Sequence, residues 1–204
     1  MVEGDCPLHD KTTGEVNHRN AKHKKLTIAG LLIAVGLIIP MFSPIRIVME
    51  PASFTLASHV VIFIAMFISP TMALVVALGT TLGFFIGGFP IVIVLRASTH
   101  VVFALLGAFY LHKIATQRLS AAKMRLFSFV IAVIHALGEL VVVSVFYFSG
   151  SISPAHLEQV FIVSVLLLVG LGSVIHSMLD FEIARVIALP LRKTKHLAEL
   201  ISKC

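Results

Sequence analysis

Residues 79–100 of the 204-residue chain read GTTLGFFIGGFPIVIVLRASTH, and this stretch decides the interpretation of the fold. Three glycines recur at every fourth position, so they share one helix face that another helix can approach closely. A Gly-Phe-Pro break then ends the helix, because proline cannot continue it and glycine tolerates a turn. We therefore predict a helical hairpin with a tightly packed first arm; the glycines are Gly79, Gly83 and Gly87, and the break covers residues 88–90.

The second arm of this hairpin is apolar until Arg96 and His100, which are one helical turn apart and therefore lie on the same face. An arginine at the depth of a bilayer core costs about 2.5–3.5 kcal/mol or more unless a partner satisfies it. Ionisable residues in such positions generally mark functional sites. Arg96 is therefore our first candidate for a functional residue.

The composition is that of a polytopic membrane protein. Hydrophobic residues make up 58% of the chain and charged residues only 13%, and several apolar runs are long enough to cross a bilayer. The net charge of +6 comes mostly from Lys and Arg that flank these runs. Membrane topology explains such flanking charges, so they do not indicate a nucleic-acid partner.

The apolar runs predict an all-α integral membrane protein with six transmembrane helices. Basic clusters occur in the N-terminal tail, in residues 112–125 and in the C-terminal tail, whereas the predicted outer loops carry only Arg46. This asymmetry places both termini in the cytoplasm. We predict a polar, mostly disordered tail over 1–25, a membrane domain over 26–189 and a basic tail over 190–204; the predicted spans are 26–42, 54–69, 71–87, 91–111, 126–148 and 160–180.

Ionisable side chains from three predicted spans fall at comparable depths in the outer half of the membrane, counted at about 1.5 Å per residue. They are His59 on the second span, Arg96 and His100 on the fourth, and Glu139 on the fifth. This convergence predicts a substrate pocket open to the outside. The candidate site also includes residues adjacent to these in sequence or one turn away, namely Thr55, Ser58 and His135.

Alternative interpretations of these polar residues remain open at this point. Arg96 and Glu139 could form an internal ion pair that satisfies both charges without any ligand. The histidines and Glu139 could in principle bind a transition metal, but the neighbouring Arg96 opposes a cation electrostatically, and we predict no metal. His176 and Asp180, together with Glu182 and Arg185, are interpreted as an interfacial belt or a partner contact near the inner end of the sixth span.

Motifs for several enzyme classes are absent from the sequence. It contains no HExxH metalloprotease motif, no GxSxG nucleophile elbow and no GxxxxGK[ST] phosphate-binding loop. The chain therefore cannot power transport with nucleotide by itself, and we predict no catalytic residues and no cofactor. Two other classes stay open: an intramembrane enzyme that uses its His and Glu residues as acid and base, and a structural membrane subunit.

The first predicted helix contains Gly30-Leu-Leu-Ile-Ala34, a pair of small residues one turn apart, and an outer loop precedes the second helix. A small six-helix protein with these features and a basic N-terminal tail resembles the substrate-binding S components of energy-coupling factor (ECF) vitamin transporters. Residues 51–70, PASFTLASHVVIFIAMFISP, followed by the glycine ladder and FPIVIVLRASTH, are most similar to the niacin-type branch.

This resemblance implies a multi-pass subunit in the plasma membrane of a prokaryote that binds a vitamin in an outward pocket. It also implies that the small residues Gly30 and Ala34 dock onto a transmembrane coupling subunit, which sits on two cytosolic ATPases that consume ATP. The chain itself would be no enzyme. Niacin is the expected ligand, and a pyridoxine-type ring, hydroxymethylpyrimidine, pantothenate or another B vitamin are the alternatives.

Overall fold

The computed structural model describes residues 9–49, 52–114, 120–149 and 161–191, which form an α-helical bundle with one small β-hairpin. The hairpin lies between the first two helices, and its strands are β1 (Arg46–Met49) and β2 (Ala52–Thr55), paired antiparallel with Arg46 opposite Thr55. The helices are α1 (His9–Phe42), α2 (Val60–Ile68), α3 (Pro70–Ile86), α4 (Ile91–Ile114), α5 (Ala121–Phe148) and α6, which is π-helical over Phe161–Leu171 and α-helical over Gly172–Leu191.

Four of the described helices contain segments long and apolar enough to cross a membrane. Helix α3 is apolar but has only 17 residues, and α2 has nine. Nine residues extend about 14 Å, roughly half of a bilayer core. The all-α class is therefore confirmed, whereas the count of six spans and the side on which the termini lie stay predictions; the four segments are Lys22–Phe42, Ile91–Ile114, Ala121–Phe148 and Val165–Pro190.

The second predicted span begins later than the sequence indicates. Phe54 and Thr55 belong to strand β2, and the next four residues form a turn before α2 begins at Val60. Within this turn Ala57 has a φ of 69°, in the left-handed region that costs a non-glycine residue about 1–2 kcal/mol. The prediction of a continuous helix from Phe54 is wrong because this turn interrupts it.

The first helix also begins earlier than the sequence indicates. We predicted a mostly disordered tail over residues 1–25, but α1 starts at His9 and continues without a break into the first apolar segment. An existing helix extends without a new nucleation step, so a polar segment can continue one that the apolar segment has formed. Residues 1–8, the C-terminal tail from 192 and nearly all of the predicted outer loop 149–159 lie outside the described residues.

Helix α2 forms the centre of the bundle. Eight of its nine residues are buried, and it packs against α1, α3, α4 and α6. A helix that is apolar on every side is stable only when its neighbours cover all of it. The large apolar side chains that stay exposed lie on the outward faces of the surrounding helices, as expected for contact with lipid; examples are Leu31, Phe109, Val141 and Val186.

The glycine ladder brings α1 and α3 together, as the sequence predicts. A Cβ atom at Gly79 would lie 2.7 Å from Cγ1 of Ile33, and one at Gly83 would lie 2.9 Å from Cγ of Leu37. Either atom would overlap the α1 side chain, so both positions depend on the missing Cβ. The third glycine, Gly87, instead caps the C-terminus of α3, and Gly88 has a φ of 73° in the turn that follows.

We expect Gly79→Leu to lower the stability of the purified protein, because the new side chain would force α1 and α3 apart. Overpacking of this kind costs about 1–3 kcal/mol, and a lower melting temperature in detergent would report it. Gly30→Leu is the matched control, since a Cβ at Gly30 has nothing within 4 Å. An equal loss in both variants would contradict the packing role of the ladder.

Candidate functional site

A cavity lies at the end of the bundle that carries the β-hairpin and the turn between α3 and α4. It leaves about 80 Å³ to the centres of water-sized molecules, well above the roughly 10–15 Å³ that one water needs. All six helices, β2 and two turns contribute to the wall, through Gly36, Pro40, Phe54, Thr55, Ser58, His59, Ile62, Thr80, Phe84, Phe89, Ile93, Arg96, Ala97, His100, Glu139 and His176.

The charged centre of the cavity is an ion pair between Arg96 on α4 and Glu139 on α5. Both Nε and Nη2 of Arg96 donate to Oε1 of Glu139, at 3.2 and 3.0 Å. Both residues are buried, so the pair satisfies two charges that would be costly in an apolar bundle. Among the described residues, Nη1 of Arg96 has no hydrogen-bond partner.

Glu139 also connects α5 to α6 and to two histidines. The hydroxyl of Ser173 donates to Oε2 of Glu139. The other oxygen, Oε1, lies 3.5 Å from Nε2 of His135 and 3.9 Å from Nε2 of His100. The carboxylate of Glu139 on α5 therefore contacts side chains of α4 and α6 as well as one on its own helix.

Three histidine rings pack edge to face beside this carboxylate. The ring centroids of His59 lie 4.6 Å from those of both His100 and His135, and the latter two are 4.9 Å apart. Nε2 of His100 and both ring nitrogens of His135 are buried without a hydrogen-bond partner within the described part of the chain. Buried polar atoms are nearly always paired, so these three nitrogens are exceptions among the described residues.

Asp180 and His176 on α6 belong to the same site, and their assignment to an interfacial belt is wrong. Asp180 is fully buried; its Oδ1 accepts the backbone N–H of Ala57 at 2.8 Å, and its Oδ2 accepts that of His59 at 2.9 Å. These bonds hold the turn whose Ala57 has a positive φ. His176 lines the cavity, and its Nε2 lies 3.1 Å from Oγ of Ser58.

The structure gathers every predicted substrate-binding residue in one region. Six of them line the cavity, and His135 lies directly behind, in contact with His59 and Glu139. The predicted docking residues Gly30 and Ala34 lie elsewhere, exposed on α1. The roles of all nine stay predictions; the six that line the cavity are Thr55, Ser58, His59, Arg96, His100 and Glu139.

Sequence reasoning missed Ser173 and placed His176 and Asp180 in the wrong environment. A signal for the last two was present, because they repeat the spacing of His135 and Glu139, with a histidine one turn before a carboxylate in an apolar helix. No comparable signal marks Ser173.

The assembled groups suit reversible binding of a small polar ring. Arg96 offers a cation, the imidazoles can donate or accept hydrogen bonds according to tautomer, and Phe54, Phe84 and Phe89 supply aromatic walls. Small-molecule sites typically combine such apolar walls with a few placed polar groups.

Comparisons with known proteins identify the family of the chain. The family model of the ECF-type riboflavin transporter S component matches residues 20–196, which include every residue of the cavity wall. The niacin transporter NiaX of Lactococcus lactis subsp. cremoris (strain MG1363) is 42% identical over 193 residues, which cover 90% of this chain and 86% of that protein. No solved structure matches the chain. The chain therefore belongs to the family of S components of ECF-type vitamin transporters.

Proposed function

We propose that this chain is the niacin-binding S component of an ECF importer. The observation that carries the proposal is Arg96, a buried guanidinium on the cavity wall whose Nη1 is not engaged by Glu139. The 42% identity to a niacin transporter over nearly the whole chain supports the same ligand. Nicotinate consists of one aromatic ring and one carboxylate, which matches a site with one available cation and aromatic walls.

In this proposal the carboxylate of nicotinate binds Arg96 through charge-assisted hydrogen bonds. The ring lies between the aromatic walls formed by Phe54, Phe84 and Phe89. His59 and His100 donate to or accept from the polar atoms of the ligand, and the hydroxyls of Thr55 and Ser58 lie on the same wall. No bond is made or broken, which is consistent with a transport subunit rather than an enzyme.

The size of the cavity favours a small vitamin within this family. The matched family model is named for riboflavin, whose three fused rings and sugar-alcohol chain are much larger than nicotinate. Because the cavity leaves only about 80 Å³ to the centres of water-sized molecules, the smaller molecule would require less movement of the wall. Pyridoxine, hydroxymethylpyrimidine and pantothenate remain the alternative ligands, and of these only pantothenate carries a carboxylate for Arg96.

We further propose six membrane segments with both termini in the cytoplasm of a prokaryotic cell. The second of these segments would consist of β2, the turn and the short α2. In it, β2 and the turn would lie in the outer half of the membrane. This topology puts the cavity on the outer side. The basic residues at 19–25, before the apolar part of α1, and those at 112–125, around the segment between α4 and α5, support the orientation.

The partner surface in this proposal is the exposed face of α1 around Gly30 and Ala34. Both residues are exposed, and a Cβ at Gly30 would meet nothing within 4 Å. Small residues on an uncovered face allow a second membrane helix to approach closely. We assign this face to the transmembrane coupling subunit, which carries the two ATPases that hydrolyse ATP.

We expect nicotinate to raise the melting temperature of the detergent-purified chain, with about 2.7 kcal/mol of added stability at 100 times its dissociation constant. Nicotinamide, which has the same ring without the charge, should stabilise the chain much less. The double variant Arg96→Gln/Glu139→Gln removes both charges, so neither is left buried alone. It should bind nicotinate about 10-fold to 150-fold more weakly, because this is the factor that one hydrogen bond to a charged group typically contributes.

Unchanged nicotinate binding in the double variant would make Arg96 and Glu139 a purely structural pair and would contradict the proposed carboxylate contact. Conversion of nicotinate to a product by the purified chain would instead favour the enzyme class. The bound ligand should therefore be recovered chemically intact.

We expect Ala34→Leu to abolish uptake of labelled nicotinate by cells that also produce the coupling subunit and the ATPases. The larger side chain would separate α1 from its partner, whereas nicotinate binding by the purified subunit should stay normal. Val141→Leu is the matched control, because Val141 is also exposed but lies on α5. Normal uptake in Ala34→Leu would exclude this face as the docking surface.

A further inference from the structure

We propose that His59, His176 and Asp180 bind a divalent transition metal ion, of the class of Zn²⁺, in the wall of the cavity. This proposal does not depend on the identity of the vitamin. Nδ1 of His59 lies 3.2 Å from Nε2 of His176 and 3.2 Å from Oδ2 of Asp180, and the last two atoms are 3.4 Å apart. All three residues are buried.

The spacing of these three atoms matches one face of a coordination tetrahedron. Zinc binds imidazole nitrogen at about 2.0–2.1 Å and carboxylate oxygen at about 2.0–2.2 Å. Two ligands of a tetrahedral ion are then about 3.3–3.4 Å apart, by the same bond lengths. The observed separations of 3.2, 3.2 and 3.4 Å require almost no adjustment.

Hydrogen bonds satisfy this triangle of atoms only if the hydroxyl of Ser58 donates to one of the two nitrogens, whose lone pair then lies beside the carboxylate. The ionised carboxylate of Asp180 only accepts, so each imidazole nitrogen would have to donate to it. Two donating nitrogens 3.2 Å apart then oppose each other, and if either one accepts instead, its lone pair faces the carboxylate. A cation between the three atoms would accept one lone pair from each of them, which removes the repulsion between the lone pairs.

Asp180 is held in the manner of a metal-binding carboxylate. The backbone N–H groups of Ala57 and His59 each bond one of its oxygens, at 2.8 and 2.9 Å. Such outer contacts fix the orientation of a ligand before the ion arrives. Each carboxylate oxygen has two lone pairs, so Oδ2 retains one for the metal.

The coordination position opposite this triangle can face the cavity. His59 and His176 both line it, as does Ser58, whose Oγ lies 3.1 Å from each of the two nitrogens. Three protein ligands with a fourth position left open is the arrangement of zinc sites that bind an external molecule. With one carboxylate in the set, a divalent ion keeps a net charge of +1, which favours an anion in that position.

A neighbouring group of possible ligands is a weaker candidate. His59, His100, His135 and Glu139 also place ligand atoms within 4.8 Å of one another. However, Glu139 already accepts two hydrogen bonds from Arg96 and one from Ser173, and the guanidinium repels a second cation. The electrostatic argument against a metal therefore applies to Glu139 and not to Asp180, which has no contact with Arg96 in the described structure.

The test is metal binding by the full-length, tag-free chain in detergent. The protein is stripped with a chelator, incubated with Zn²⁺, freed of excess ion and analysed by elemental mass spectrometry. We expect one zinc per chain. Co²⁺ in place of Zn²⁺ should give the visible absorption bands of a four-coordinate or five-coordinate cobalt site, a readout that requires no vitamin.

His176→Gln should lower the affinity for Zn²⁺ by more than about tenfold, since even residues that only orient a ligand cost 10-fold to 100-fold. His100→Gln is the matched control, because His100 is an equally buried imidazole on the same cavity wall. It should keep the zinc and the cobalt spectrum. His59→Gln supplies a second ligand variant from a different element, and the melting temperature of each metal-free variant shows whether it folds.

Three outcomes would overturn the proposal. In the first, the folded wild-type chain binds no stoichiometric zinc. In the second, zinc is lost from His100→Gln but kept by His176→Gln, which would assign the ion to the group around Glu139. Zinc that is bound equally by all variants would be adventitious and would also refute the assigned site.

Discussion

Two carboxylates buried in an apolar bundle constrain the rest of the structure. An ionised carboxylate without partners is among the most costly groups that a protein interior can contain, so Glu139 and Asp180 must each be surrounded by donors. Glu139 meets this need with Arg96 and Ser173, which fixes α4 and α6 against α5. Asp180 meets it with backbone N–H groups of the turn before α2. These contacts orient α4, α5 and α6 relative to one another and hold the turn that leads into α2.

The turn before α2 shows how one carboxylate determines the shape of the cavity. A left-handed alanine is unfavourable by itself, and the bonds from Ala57 and His59 to Asp180 offset that cost. The turn delays the start of α2 until Val60 and directs Ser58 and His59 into the space between the helices. Had the second segment been helical from Phe54, α2 would have continued through the region where the cavity now lies.

Much of the site could be predicted because a membrane restricts where polar side chains can be. The order of the spans and the rise of a helix gave the depth of His59, Arg96 and Glu139, and side chains at one depth in a small bundle are close together. Depth does not give rotation, so the pairing of Arg96 with Glu139 was only one alternative. The error on α6 came from ending the sixth span at about Asp180 and placing the rest of the helix, to Leu189, along the interface, whereas Val165–Pro190 is one segment long and apolar enough to cross a membrane.

The parts that could not be predicted are those in which tertiary contacts override local sequence. Residues 54–59 are apolar enough to continue a helix, and the turn that replaces it is held by a contact with the distant Asp180, 123 positions from Ala57. The polar start of α1 carries no apolar periodicity, so nothing in its sequence distinguished a helix from a disordered tail. The glycine ladder was predictable for the opposite reason, because close helix approach depends on the residue type itself.

An ion pair and a binding site are not exclusive roles for Arg96. Its Nε and Nη2 donate to a single oxygen of Glu139, which holds the guanidinium plane in place. A long side chain that is already fixed loses little further entropy when it binds a ligand, and this lowers the cost of recognition. The remaining edge of the guanidinium stays available because Glu139 uses only Oε1 for this contact and Oε2 for Ser173. In the proposed binding mode, the interaction that stabilises the bundle thus also prepares the cation for an anionic ligand.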